Sequence, residues 1–438
     1  MNRSLYFLLI IIFLSGCSLG ENPKLWPTSK KINQDININK EKKTQEIFSK
    51  ENIINEEFNA NLKIKINDNF DTKDSAYINS NNNGRVNFNG ELERVSRYKF
   101  SKIKNFYQYE PEITFDNKDI IFSENKGSIL RFNENSKLMW KKNYYSKTEK
   151  KLNPILQLAN NGRFLIVTDN IAKLYMLDVL TGDLIWSKNN LAPFNSQIKI
   201  YKDKFLTVDF SNTLRCFSIK NGNELWNIKT QSSLIRSQKK LSLVIVKDKV
   251  FFNNSIGDIT AVDLNNGELL WQLPTQSSLI YDSAFSLETS DLITDNKTLF
   301  FSNNKNQFFS IDIDTGSFNW ETTINSSLRP TLVENILFTV SSEGYLFLVD
   351  KNKGNIIRTT FLFDKFKEKK RKSLRPTGFT LGSEKIYLST SSGRLLVVDI
   401  ATGKTISVLK IDNEKILRPV ISSENLFIVK NNAIIKFN

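Results

Sequence analysis

The chain has 438 residues, 40% of them hydrophobic and 32 of them Phe, enough for a large buried core, and a formal charge of +15. It has no histidine and only two cysteines, Cys17 and Cys216. That excludes His-dependent triads, His metal sites and a disulfide framework. The charge accompanies an Asn-, Lys- and Ile-rich composition, so it reads as compositional bias as readily as a binding surface.

Residues 1–17 read as a targeting segment. Arg3 supplies a positive start, and residues 5–14 are an apolar run too short to span a bilayer comfortably. Leu14-Ser15-Gly16-Cys17 has the form of a bacterial lipobox, in which cleavage before Cys17 leaves that residue diacylated. An ordinary signal peptide or a membrane anchor with an incidental cysteine is the alternative. Several acyl chains hold a protein on a membrane where one does not. Ser18 rather than Asp after the cysteine implies the outer membrane, by resemblance to sorted lipoproteins. Residues 18–75 are polar and read as a flexible linker with a reach of roughly 40 Å.

Residues 76–438 carry the folded part. LERVSRYKFSKI (92–103) is strand-like but lacks a turn signal. A repeated unit follows, with ITAVDLNNGELLW (259–271) as its clearest copy. Ile259, Ala261 and Asp263 alternate as a strand with one face buried. Asn265-Asn266-Gly267 makes a tight turn, and the Asp263 carboxylate is placed to accept its N–H groups. Related copies occupy 174–186, 214–226, 308–320, 346–358 and 395–407, and 129–140 is a degenerate first copy. The turn glycines at 182, 222, 267, 316, 354 and 403 are 40, 45, 49, 38 and 49 residues apart. Sheet units of that length with variable loops predict a β-propeller, because one unit cannot cover both faces of its own sheet. Trp140, Trp186, Trp226, Trp271 and Trp320 recur at one position, which lapses to Arg358 and Ser407; inter-blade packing is the simplest role. Cys216 takes the slot of Ala261 and reads as a small buried thiol.

Arg-Pro pairs open three inner strands, and Arg329, Arg375 and Arg418 are expected on one arc around the ring axis. That arc either bonds blade to blade or forms a basic channel mouth for an acidic partner. Residues 364–372 are the densest basic run, either a solvated insertion or a contact for anionic lipid or an acidic partner. The last segment, LFIVKNNAIIKF (426–437), is half a repeat. Strand openings near 120, 164, 205, 250, 299, 337, 386 and 426 give an all-β fold of eight blades, closed by pairing of the N-terminal and C-terminal strands.

The Asp-x-x-(Thr/Asn)-Gly-x-x-x-Trp repeat resembles that of pyrroloquinoline-quinone propellers. Eight copies over 92–438 behind a lipobox resemble the BamB-like lipoproteins of the outer-membrane β-barrel assembly machinery. The quinone enzymes share only the repeat type: they carry adjacent cysteines and a calcium site, and neither is evident here. The BamB resemblance implies no cofactor, no metal and no catalysis. It implies a periplasmic scaffold, lipid-anchored through Cys17, whose partners are a BamA-like protein, other assembly lipoproteins and nascent barrel proteins. An exported chain of this kind has no nucleic-acid partner. The family's BamA contact uses two inter-blade loops. The first corresponds here to Leu234, Ile235 and Arg236; the second to Glu288, with Ser286 in place of a second acid. A generic periplasmic propeller that binds sugar or cell-wall polymer is the alternative.

Overall fold

The computed structural model describes residues 56–70, 81–103, 111, 113–231, 237–275 and 287–438. The segment 1–17 with Cys17, and the loop holding Leu234, Ile235 and Arg236, lie outside the described residues. Eight four-stranded antiparallel sheets form the eight blades of a propeller. Blades 1 to 7 span residues 113–142, 156–189, 199–229, 243–273, 293–322, 331–361 and 376–410. Blade 8 combines Val420–Ser422, Asn425–Lys430 and Ala433–Phe437 with Arg94–Lys99. There Tyr98 pairs with Ile434 and Lys99 with Ala433, so the N-terminal strand closes the ring as expected. Among the described residues no helix is long and apolar enough to cross a membrane.

The repeat builds each blade through local chemistry. In blade 4 the Asp263 Oδ1 accepts from the Asn265 and Asn266 N–H groups at 2.8 and 3.3 Å, and Gly267 turns at φ +76°. Backbone bonds of this kind hold the equivalent Asp312 carboxyl below its ordinary pKa, that from Thr315 contributing most. The degenerate first copy keeps the turn with other residues: Asn133 Oδ1 accepts from Asn135 and Lys137, and Ser136 takes φ +58°.

Packing corrects the expectation of a single buried face. Val262 and Leu264 join blade 3 residues in one apolar cluster, while Ile259 and Ala261 join blade 5 residues in another. A blade between two neighbours has no solvent face except at its rim. Eight such clusters, one per interface, make up the core. Each fully buried Leu, Val or Phe in them stabilises by about 1.5–3 kcal/mol. Cys216 is fully buried and free, and burial pushes its thiol pKa up to about 12.

The tryptophans are clasps. Each donates its indole N–H to the carbonyl three residues before the glycine of the next blade: Trp140 to Val179, Trp186 to Ile219, Trp226 to Leu264, Trp271 to Ile313 and Trp320 to Lys351, at 2.8–3.2 Å. The ring lies on the turn itself, so a Cβ on Gly267 would meet Trp226 Cε3 at 2.4 Å. Arg358 fills the same slot in blade 6. Its Nη2 donates to Ile400 O, the equivalent carbonyl, at 3.1 Å, and its Nη1 donates to Leu62 O at 2.8 Å and to Ala401 O. It is fully buried, and burial pulls its pKa down to about 10.

Leu62 belongs to a segment the sequence places in the flexible linker. Residues 56–67 instead form a strap along the outer edge of blade 6. Phe58 pairs antiparallel with Thr359 through bonds of 3.1 and 2.8 Å. The Phe361 N–H donates to Glu57, Asn59 donates to Ile357 O, Ile64 N–H donates to Ala401 O, and Asn67 N–H donates to Glu334. The physical reason is an unpaired edge strand beside a buried arginine in need of acceptors, met by the strap's own backbone.

Candidate functional site

In an antiparallel blade, every connection from a fourth strand to the next first strand emerges on one face of the ring. Those connections surround a funnel of about 1080 Å³ at the channel mouth. Among the described residues its wall includes Lys239, Lys240, Arg375 and Lys415 against one acid, Glu288, with Gln157, Asn195 and Asn325 between. The mouth is therefore cationic and polar.

The described ends of the two connections expected to bind a partner meet on this face. Ser237, which directly follows Arg236, donates from Oγ to Leu287 O at 2.6 Å. Leu287 is buried and Glu288 beside it is exposed. Glu288 is fixed rather than waving: its N–H donates to Asn304 Oδ1 at 3.0 Å, and Ser327 Oγ donates to its carboxylate at 3.1 Å. Glu288 therefore projects from the funnel wall, one residue from the joint between the two loops.

The expected arginine arc does not form at one repeat position. Thr331, Thr380 and Val420 are the equivalent inner-strand residues, paired with Phe338, Tyr387 and Phe427. Arg329 and Arg418 each lie two residues before that position, where blade 7 has Gly378. Arg375 falls three residues earlier, because the stretch from its Arg-Pro to the equivalent position Thr380 is three residues longer, one of them taken up by the bulge between Pro376 and Gly378. Of the three, Arg375 lines the funnel, with its Nη1 donating to Lys372 O and Leu374 O. Arg418 donates from Nε to Phe379 O at 2.9 Å, tying blade 8 to blade 7, and Arg329 is buried at 8% exposure.

Sequence reasoning missed what stands in the channel. Residues 81–83 bridge the inner strands of blades 3 to 6. The buried Asn82 amide faces Gln197 Oε1, Ser242 Oγ, Leu243 O and Leu292 O at 3.0–3.1 Å, and its carbonyl accepts from Lys199 Nζ. Gln197 passes on to Asp291 at 3.1 Å. Asn83 and Leu332 exchange two bonds, and Thr294 N–H donates to Asn81 O. Arg85 then ties Gly382 and Ser383 of blade 7 to Asn67 of the strap. The Asn-Asn-Asn-Gly run at 81–84 carries no periodicity that would mark it as a plug.

Residues 125–360 match the family described as outer membrane protein assembly factor BamB. Among solved structures, BamB from Moraxella catarrhalis aligns at a TM-score of 0.63 and 16% identity, covering 79% of this chain and 99% of that one. A europium-containing methanol dehydrogenase aligns at 0.62 and 10% identity, covering 81% and 89%. The computationally designed Ika8 protein aligns at 0.60 and 12% identity, covering 80% and 99%. At these identities the likenesses show the fold alone. No curated protein matches the chain in sequence. The two cysteines are not adjacent, and among the described residues no group of three or more Asp, Glu, Cys or His is placed to hold a metal ion.

Proposed function

Because the chain belongs to the family of the outer membrane protein assembly factor BamB, we propose that it is a non-catalytic scaffold, lipid-anchored at Cys17 on the periplasmic face of the outer membrane, that holds a BamA-like protein through the loops at its funnel mouth. The observation that supports this is a tie between two connections: Ser237, next in sequence to Arg236, bonds Leu287, next in sequence to Glu288. An arginine and an acid flanked by Leu234 and Ile235 make a compact hot spot of the kind that dominates interface energy. Rigid blades suit a scaffold because they fix loops at set angles. Other assembly lipoproteins and nascent barrel proteins are the further partners on this reading.

Affinity capture of the native lipoprotein tests it. Recovery of a BamA-like barrel, reduced at least about tenfold by Arg236→Glu, supports the scaffold; no barrel, or capture unchanged by that variant, refutes it. Radioactive palmitate incorporation that is lost in Cys17→Ala tests the anchor separately. The polar, cationic funnel favours a second reading, the capture of sugar or cell-wall polymer. Retention of the protein on anionic cell-wall glycan without any barrel would support that reading instead.

A further inference from the structure

The strap has a direction. Glu57 meets Phe361, the last residue of blade 6's outer strand, and the chain then runs antiparallel past Thr359 and Ile357 to Ala401 on the opposite face. Residue 56, where the described strap begins, therefore sits at the funnel-face end of blade 6. The connection from blade 6 to blade 7 springs from that same point. It holds seven cationic and two anionic side chains over residues 364–375, a net of 7 − 2 = +5. Only 38 residues, 18–55, separate Cys17 from this place along the chain.

We propose that the 364–375 loop is a docking surface for anionic phospholipid headgroups, set beside the point where the lipid-anchored tether enters the fold. The inference rests on the reading of Cys17 as the anchor. The loop is built to present charge. Arg371 donates to Phe366 O and Asp364 O at 2.6 Å each, which closes the loop into a knob, and Phe366 packs edge-on against Phe363 with ring centroids 6.0 Å apart. Lys367 and Lys369 are exposed, and Lys370 lies with its ammonium 5.4 Å from the Phe366 ring. None of these three lysines has a carboxylate partner among the described residues. Both guanidinium groups of the loop donate to its own carbonyls, Arg371 to Phe366 O and Asp364 O, and Arg375 to Lys372 O and Leu374 O. Ammonium groups spread over a convex knob without a pocket suit a diffuse phosphate surface better than a shaped acidic protein. A basic patch beside the anchored tether adds electrostatic attraction to an anionic surface and orients the fold on it.

The test uses the chain from Ser18 to Asn438, which holds all eight blades, made without the acyl group. Its binding is measured by co-sedimentation with vesicles of phosphatidylglycerol and phosphatidylcholine, and with vesicles of phosphatidylcholine alone. The expected result is binding to the first only, reversed by salt at about 0.5 M. Replacing Lys367, Lys369 and Lys370 with Gln removes three charges and should weaken it about 100-fold, at roughly fivefold per charge. Lys367→Glu combined with Lys369→Glu and Lys370→Glu, which changes six charges, should abolish it. Equal binding to both vesicles, no binding, or binding unaffected by either triple variant overturns the proposal. So does loss of barrel capture in the triple variants without vesicle binding by the parent, which would make the loop a protein contact. Because the tested chain carries no acyl group, failure here leaves palmitate incorporation at Cys17 untouched, and failure of acylation leaves vesicle binding untouched.

Discussion

The clasp between each tryptophan and the next blade's glycine is the contact most open to quantitative challenge. Trp226 is half-buried, donates to Leu264 O at 3.2 Å, and covers Gly267 so closely that a Cβ there would sit 2.4 Å from its ring. Trp226→Ala should destabilise the protein by about 3 kcal/mol through lost packing. Trp226→Phe, which keeps a ring and loses the N–H, should cost about 1 kcal/mol. Gly267→Ala carries two penalties. Holding a Cβ residue at φ +76° costs about 1–2 kcal/mol, and displacing the indole adds about 1–3 kcal/mol. In the Trp226→Ala background only the first penalty remains. The double variant should therefore be more stable than the sum of the singles implies, by about 1–3 kcal/mol. Urea unfolding at matched slopes reads all four proteins. Strict additivity, or a Trp226→Ala cost below about 0.5 kcal/mol, would refute the clasp.

Other sites give independent checks. Arg358→Ala removes donors to Leu62, Ala401 and Ile400; it should cost about 3 kcal/mol and free the strap, seen as faster trypsin cleavage after Lys63 and Lys65, whereas unchanged cleavage would detach the strap from Arg358. Asn82→Ala strips partners from the carbonyls of Leu243 and Leu292 and an acceptor from buried Lys199; a loss of about 2–4 kcal/mol in thermal or urea unfolding is expected, and a neutral result would mean that the plug does not brace the ring. Asp169 is buried, and desolvation raises its pKa above the ordinary 3.8 despite bonds from Tyr145, Lys173 and Ile171. A raised folded pKa means that this group's stabilising contribution is complete below about pH 3.8 and is lost as pH rises through the folded value. Asp169→Asn, which cannot ionise, should remove that decline from the pH dependence of unfolding, and an unaltered slope would refute the assignment.

How far the sequence reaches depends on whether a feature repeats. Asp, turn and glycine recur because each blade must reverse its chain in the same few residues, so blade number and ring closure are readable from local spacing. The tryptophan positions are readable for the same reason, since each clasp joins neighbours of identical kind. The Arg-Pro pairs show where spacing misleads: Arg375 looks equivalent to Arg329 and Arg418, yet a longer first strand with a bulge puts it three residues out of register. The strap and the plug were hidden altogether. Their residues are polar and aperiodic, and each makes unique contacts with several blades rather than a repeated one with the next.

Sequence alone determined the architecture, because a buried two-faced strand and its turn impose the same demands on every copy. Only the tertiary structure decided what fills the slot of a missing tryptophan, what stands in the channel, and which loops meet. Those outcomes depend on groups far apart in the chain competing for a few unpaired carbonyls and one open strand edge, and no local pattern encodes the winner.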